Sequence, residues 1–368
     1  MLTIPSFPEL QNIIEAQSAD DVQRILQQGC NSIGDLAALL SPAADPFLQK
    51  MATRSRDITL QRFGRTMQLY APIYLSSFCT NRCAYCGFSA ENKISRRILS
   101  MDEVKKETDI LHQRGFNHIL LVSGEAPKML GVEYLEEVAL LLRQKFASVS
   151  IEVQPLEQDD YARLFKAGIT AVAVYQETYD REIYDQVHLA GAKADYDYRL
   201  MTADRLAAAG MREVGIGALL GLSDWRQEAL ALGIHLAWIR KNYWRTALTV
   251  SFPRLRPAEG GFAPMTEVTE RNLSQMIFAL RIFDPDVGLV LSTREEARYR
   301  DGMIGLGPTR FSAGSCTAPG GYSQADDSGE QFAVDDTRSL DEVCAIIKKM
   351  GLDPVKKDWD SEFQNINI

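Results

Sequence analysis

Cys79, Cys83 and Cys86 lie in the run Tyr74-Leu-Ser-Ser-Phe-Cys-Thr-Asn-Arg-Cys-Ala-Tyr-Cys-Gly-Phe88, spaced Cys-x3-Cys-x2-Cys with an aromatic before the third cysteine. Three close thiolates are one short of a closed four-cysteine site. A 4Fe–4S cube held by three cysteines keeps one iron open to a small-molecule ligand, and that opening separates a cluster that does chemistry from one that only stores electrons. Zinc would need a fourth ligand. The four histidines, His112, His118, His188 and His235, have no finger-like spacing to the trio. The other three cysteines, Cys30, Cys316 and Cys344, are scattered. In a long chain of cytosolic appearance, a tight cluster reads as metal or redox chemistry and not as a disulfide framework.

Such a loop needs a rigid frame. Residues up to about 65 read as helical from their apolar spacing. After them, short apolar runs at 73–75, 118–122, 149–153, 171–175, 214–220, 247–252, 288–291 and 309–312 alternate with amphipathic stretches at 102–115, 133–146, 159–167, 196–210, 224–242, 267–283 and 294–305. Eight strands alternating with helices predict a parallel sheet closed into an α/β, TIM-type (β/α)8 barrel. The expected organisation is an N-terminal helical extension over 1–66, the barrel over 67–315, and a C-terminal segment over 316–368 that packs on it. That last segment holds a Gly-Gly-Tyr turn, an acidic loop at 326–330 and one helix at 340–350.

Active sites of such barrels lie where strands end. Here the strand ends are polar: Ser123-Gly-Glu125, Glu152, Tyr175-Gln-Glu-Thr178, Arg254-Leu-Arg256, Ser292-Thr-Arg-Glu295 and Ser312-Ala-Gly-Ser315. A full ring of polar ends argues for a catalytic mouth. The formal net charge of −9 gives no basic excess to hold nucleic acid or an anionic membrane. No segment approaches the roughly 20 apolar residues of a membrane span, and the N-terminus lacks the basic start and apolar core of a signal peptide. The expectation is a cytoplasmic protein.

The cysteine spacing after a first barrel strand, with Tyr85 before the last cysteine, resembles the radical S-adenosylmethionine (SAM) superfamily. The resemblance implies that SAM chelates the open iron through its methionine amine and carboxylate. An electron from the cluster then yields a 5′-deoxyadenosyl radical that takes hydrogen from the substrate. It also implies cofactor contacts. Ser123, Gly124 and Glu125 match the segment that meets the SAM amine, Glu177 the ribose ligand, Arg199 the partner of the SAM carboxylate, and Leu219 and Leu220 the apolar contacts to adenine. A carboxylate offers two acceptors to a ribose diol, and a guanidinium fork suits a carboxylate. Without the resemblance, Arg199 reads as a solvated helix residue and the two leucines as core.

Within the superfamily, the segments Ile151-Glu-Val-Gln-Pro155, Tyr175-Gln-Glu-Thr-Tyr179, Ser251-Phe-Pro-Arg-Leu-Arg-Pro257, Leu291-Ser-Thr-Arg-Glu295, Pro319-Gly-Gly-Tyr322 and Lys357-Asp-Trp-Asp360 resemble the ThiH family, the 2-iminoacetate synthases (tyrosine lyases) of thiamine thiazole synthesis. That implies hydrogen abstraction from the amino group of L-tyrosine and cleavage of its Cα–Cβ bond to 2-iminoacetate and p-cresol. It implies ThiG, the thiazole synthase, as partner and flavodoxin or ferredoxin as electron donor. Candidates for the substrate site are Arg294 as carboxylate clamp, Ser312 as hydroxyl donor and Tyr74 beside the substrate. Their plainer readings are an Arg294 ion pair with Glu295 or Glu296, a strand-end cap and a core tyrosine. Arg254 and Arg256 are rival clamps. Alternatives are a tryptophan lyase resembling NosL and, in another class, a non-catalytic iron–sulfur carrier or scaffold. The related HydG carries a second cysteine cluster near its C-terminus; here only Cys316 and Cys344 follow the barrel.

Overall fold

The computed structural model describes residues 2–323 and 329–356; most of the 326–330 loop and the 357–360 motif lie outside them. Helices α1 (Phe7–Glu15), α2 (Ala19–Gln28), α3 (Ile33–Leu40) and α4 (Leu48–Phe63) precede the first strand. Eight parallel strands follow: β1 (Thr66–Ser76), β2 (His118–Ser123), β3 (Ser148–Glu152), β4 (Ala171–Ala173), β5 (Glu213–Gly217), β6 (Ala247–Ser251), β7 (Gly288–Leu291) and β8 (Arg310–Ser312). They pair in sequence order, and β1 pairs with both β2 and β8, so the sheet closes. A ninth strand, β9 (Asp353–Val355), adds to the start of β1 at Thr66–Gln68.

The helices α5 (Met101–Gln113), α6 (Val132–Leu142), α7 (Gln158–Ala167), α8 (Arg181–Val187), α9 (Tyr196–Leu200), α10 (Thr202–Ala208), α11 (Trp225–Asn242), α12 (Glu270–Phe283), α13 (Ala297–Gly302) and α14 (Leu340–Lys349) complete the described chain. Their starts follow capping chemistry: Ser100 and Glu103 form a capping box at α5, and Asp224 accepts from two backbone N–H groups at α11. The stretch expected as one helix over 196–210 is two, divided at Met201, and the helix expected over 294–305 is only the short α13.

The N-terminal helices cover the outside of the barrel. α3 packs on α11 and α12, and α4 on α12. The approach is tight at Gly233, where a Cβ would fall 2.1 Å from Leu36 Cδ2. Across the lower barrel, Arg310 grips Glu213 through two hydrogen bonds of 2.6 and 3.0 Å. Near the mouth, the fully buried pair Arg300–Asp336 ties the segment after β8 to the barrel. No helix among the described residues is long and apolar enough to cross a membrane.

Candidate active site at the barrel mouth

The β1–β2 register slips between Tyr74 and Ser76, where the chain leaves the sheet to form the cysteine loop. Backbone bonds from Thr80 N–H to Glu125 O, Arg82 N–H to Ala190 O and Ala84 N–H to Val187 O, each 2.9 Å, hold that loop against the mouth. Gly124 makes the approach possible: a Cβ there would lie 2.2 Å from the Phe78 carbonyl oxygen and 3.1 Å from Cys79 Cβ. Cys79, Cys83 and Cys86 line one cavity of about 550 Å³ with Asn81, Ser123, Gly124, Glu125, Glu177, Lys193 and Arg199. Among the described residues no three Cys, His, Asp or Glu side chains converge on a point fit for a single ion. Burial pushes the Cys83 thiol up to about 12 and raises that of Cys86, with the Lys193 ammonium opposing both.

Two carboxylates and two cations form a buried network on the far wall. Arg199 donates to Glu125 Oε1 at 2.9 Å and to the Tyr175 carbonyl at 2.7 Å, and its other terminal nitrogen lies 3.6 Å from Glu177 Oε1. Lys193 Nζ donates to the same Glu177 oxygen at 2.6 Å. Asn81, within the cysteine loop, donates to Glu125 Oε2 at 2.7 Å. Burial alone would raise the Glu177 carboxyl, but the Lys193 and Arg199 cations more than offset this and hold it below the usual range. Glu177 is the one non-glycine residue described with positive φ, 71°. Such a conformation costs about 1 kcal/mol or more and persists where neighbours over-determine it. Here the buried Glu228 on α11 does so, accepting from the Thr178 hydroxyl and from Tyr179 N–H.

The expected adenine contacts divide. Leu219 packs with Cys83 and Tyr85 in a small apolar cluster, whereas Leu220 belongs to the main core. Tyr85 is fixed by its hydroxyl, 2.8 Å from His188 Nε2. Burial lowers His188 to about 2, so its imidazole is neutral.

A second cavity of about 540 Å³ opens beside the first, lined by Tyr70, Tyr74, Glu152, Tyr175, Ser251, Thr293, Arg294, Ser312, Ser315, Gln331 and Phe332. The three candidate substrate residues all face it. Arg294 lies over the Phe332 ring, 3.4 Å from its centroid, and among the described residues no carboxylate lies within ion-pair distance of it. Neither Glu295 nor Glu296 is its partner. Glu295 instead binds Arg254, and Arg256 pairs with Asp335 at 2.7 Å, so both rival clamps are occupied. Ser312 Oγ accepts from Thr293 N–H at 2.9 Å, which is the strand-end cap its plainer reading expected. Tyr74 is buried and donates to Gln331 Oε1 at 2.6 Å.

Sequence reasoning passed over several lining residues. Asn81 stands inside the cysteine motif and was legible there as a polar residue between ligand candidates. Lys193 lies in no motif that marks it out, and lysine usually faces water. Ser315, whose buried hydroxyl has no protein partner, closes the Ser-Ala-Gly-Ser run. Gln331 had no signal at all. Its segment folds back so that its carbonyl accepts from Gly87 N–H at 3.2 Å, next to Cys86.

Residues 73–232 match the model of the radical SAM superfamily, and residues 251–353 match that of the Biotin and Thiamin Synthesis associated domain. The chain is 45% identical to the 2-iminoacetate synthase of Salmonella typhimurium and 44% identical to that of Escherichia coli, each over 95% of this chain and 93% of the relative. Among solved structures, the FeFe-hydrogenase maturase HydG from Carboxydothermus hydrogenoformans superposes with a TM-score of 0.88 at 31% identity, covering 95% of this chain and 83% of that one.

Proposed function

This chain belongs to the 2-iminoacetate synthase family of the radical SAM superfamily, and from that premise we propose that its barrel mouth cleaves the Cα–Cβ bond of L-tyrosine to 2-iminoacetate and p-cresol, for thiamine thiazole synthesis. The observation that carries this reading is the pair of abutting cavities. One is lined by three thiols and a buried charge network, the other by a guanidinium with no carboxylate partner among the described residues.

The residues present fit both cofactors. Cys79, Cys83 and Cys86, which line the same cavity, would hold a 4Fe–4S cluster through three thiolates. The Ser123 hydroxyl is buried there without a protein partner, and Gly124 leaves backbone room beside Cys79. Ser123, Gly124 and Glu125 would meet the SAM amine and Arg199 its carboxylate. Glu177, whose described hydrogen bond engages Oε1, would offer Oε2 to the ribose. Tyr85 and Leu219 would border the adenine. Bound there, the cluster and SAM supply one-electron cleavage of the sulfonium to methionine and a 5′-deoxyadenosyl radical.

The rest falls to side chains. Arg294 would clamp the tyrosine carboxylate, a fork for two oxygens, with the Ser315 hydroxyl beside it. Burial lowers the pKa of Arg294, with Tyr74, Glu152 and Glu177 opposing, so its charge is costly until a carboxylate arrives. Ser312 would act through the Thr293 loop that it caps. Tyr74, Phe332 and the Gln331 segment would close the site, keeping water from the reacting atoms and holding them in register. We assign 1–66 as a helical extension, 67–315 as the barrel and 316–368 as a C-terminal segment that packs on it. ThiG as acceptor of the hydrolysis-prone imine, flavodoxin or ferredoxin as electron donor, and a cytoplasmic setting complete the proposal.

The test is competition. Anaerobically reconstituted enzyme with SAM and reductant is offered equal L-tyrosine and L-tryptophan. p-Cresol should dominate, because a site that hydrogen-bonds a phenol rejects analogues lacking it. Methylindole products in its place would make the enzyme a tryptophan lyase.

A further inference from the structure

Four side chains face both cavities: Val122, Glu152, Tyr175 and Gln331. Of these, only Glu152 carries a carboxyl group. The reacting nitrogen must sit at this shared wall, since hydrogen passes from an amino acid on the Arg294 side to a group on the cysteine side. We propose that Glu152 is a catalytic residue that accepts a proton from the substrate's ammonium group and so presents the amino acid at the junction as a neutral amine. The inference rests on the tyrosine-lyase reading above.

The physical need comes from the surroundings. Arg294, Lys193 and Arg199 already place three cations around the two cavities. Removing a hydrogen atom from an ammonium would leave that positive charge on nitrogen, in a confined site where Glu177 and Glu125 are already taken by Lys193 and Arg199 and where Arg294 has no carboxylate partner among the described residues. Proton transfer avoids this. One N–H bond of the ammonium breaks and its electron pair stays on nitrogen. One O–H bond forms on Glu152, and no electron changes hands. An ammonium–carboxylate pair becomes a neutral amine and a neutral acid, which a desolvated cavity favours.

The groups facing Glu152 suit the task. They are Tyr175 and Glu177 beyond β4, Arg294 beyond β7, Lys193 from the segment before α9, and Tyr70 and Tyr74 from β1. Burial and the Glu177 charge push Glu152 up to about 7, against the Tyr175 hydroxyl and the Arg294 and Lys193 cations. An acceptor poised near neutrality is the efficient one for proton transfer at that pH.

Glu152→Gln keeps the size and an oxygen for the Tyr175 hydroxyl but cannot hold the proton. Reconstituted wild type and variant would be assayed with SAM, reductant and tyrosine from pH 6 to 9, counting p-cresol and 5′-deoxyadenosine, with tyrosine affinity measured by equilibrium dialysis. Wild-type p-cresol formation should fall below about pH 7 along a one-proton limb. E152Q should lose that limb, and its p-cresol to 5′-deoxyadenosine ratio should drop ~100-fold, while tyrosine affinity changes less than about tenfold because Arg294 remains. Glu152→Asp should restore part of the ratio. A ratio within about threefold of wild type with the acid limb intact would overturn the assignment, as would a defect confined to affinity, which would make Glu152 an anchor. Wild type forming no p-cresol at any pH would overturn the lyase reading and this inference with it. Wild type active beside an unaffected E152Q would overturn the inference alone.

Discussion

Glu295 grips Arg254 through both carboxylate oxygens, with Nε 3.0 Å from each. That pairing takes away the carboxylate that the sequence places next to Arg294, whose guanidinium rests on Phe332. Arg294→Ala should therefore weaken tyrosine binding by about 2–5 kcal/mol, the range for truncating one partner of a buried charge pair. Arg254→Ala should instead leave Glu295, which is 1% exposed, with only Arg256 at 3.6 Å as a cationic partner, and lower the melting temperature. Tyrosine dialysis and thermal melts on both variants check the division. Unchanged tyrosine affinity in Arg294→Ala would remove it from the clamp.

The cysteine loop depends on Gly124. Gly124→Ala would drive a methyl group to 2.2 Å from the Phe78 carbonyl oxygen. The backbone must shift, and the loop with it. Iron content after reconstitution should fall well below wild type while far-UV circular dichroism stays the same. Full iron loading would show that the loop adjusts.

Each of Cys79→Ala, Cys83→Ala and Cys86→Ala should abolish cluster assembly and SAM cleavage. Cys344→Ala should keep its iron, since Cys344 packs in the main core with Ile347 and lines neither cavity. Its cost should be about 1 kcal/mol of stability, the order expected for trimming a small buried side chain. Iron and acid-labile sulfide assays decide, and iron retained by any of the first three would break the ligand assignment.

The strands were legible because each is an apolar run between polar ends. β9 was not: Asp353-Pro-Val355 is short, half polar and broken by proline, and it exists only because the start of β1 offers a free edge. α8 escaped notice for its seven-residue length, with only the Asp180 cap to mark it. The site divides in the same way. Residues inside local motifs, namely the cysteines, Ser123 to Glu125 and Glu177, could be read in place. Gln331 reaches Tyr74 across 257 residues of chain, a contact that no local pattern encodes. Lys193 and Arg199 carry charges that usually face water; only the closed barrel buries them against Glu177 and Glu125.

Two buried groups far from the cysteine loop set an acid limit on the fold. His235, bonded to the Tyr179 hydroxyl at 2.9 Å, is lowered to about 3 by burial. Burial would raise Glu213, but Arg310 holds it down at about 2. A histidine lowered on folding adds stability at neutral pH that fades as pH falls below about 6.5, its unfolded value. A carboxyl lowered on folding adds stability that fades as pH falls from about 4.5 towards 2. Both therefore favour unfolding on acidification, His235 first, at about 1 kcal/mol per pH unit. His235→Phe should melt lower at pH 7 and show a flatter decline between pH 6.5 and 5. An unchanged slope would mean that other groups govern it.

The hydroxyl of Tyr74 fastens the closing segment. Tyr74→Phe leaves Gln331 Oε1 without that donor, at a cost of about 1–3 kcal/mol if no water replaces it. Hydrogen exchange over 329–336 should quicken while the barrel strands keep their protection. Equal exchange in both proteins would show that the Gly87–Gln331 backbone bond suffices.

If one mouth joins a three-cysteine cluster site to a tyrosine site, radical formation and tyrosine cleavage must be coupled. The most direct measurement of that coupling is a single anaerobic assay of reconstituted enzyme with SAM, reductant and L-tyrosine, counting 5′-deoxyadenosine, p-cresol and glyoxylate, the hydrolysis product of 2-iminoacetate. All three should appear together, with p-cresol and glyoxylate rising in parallel. 5′-Deoxyadenosine formed at the same rate with and without tyrosine, and no p-cresol, would contradict it.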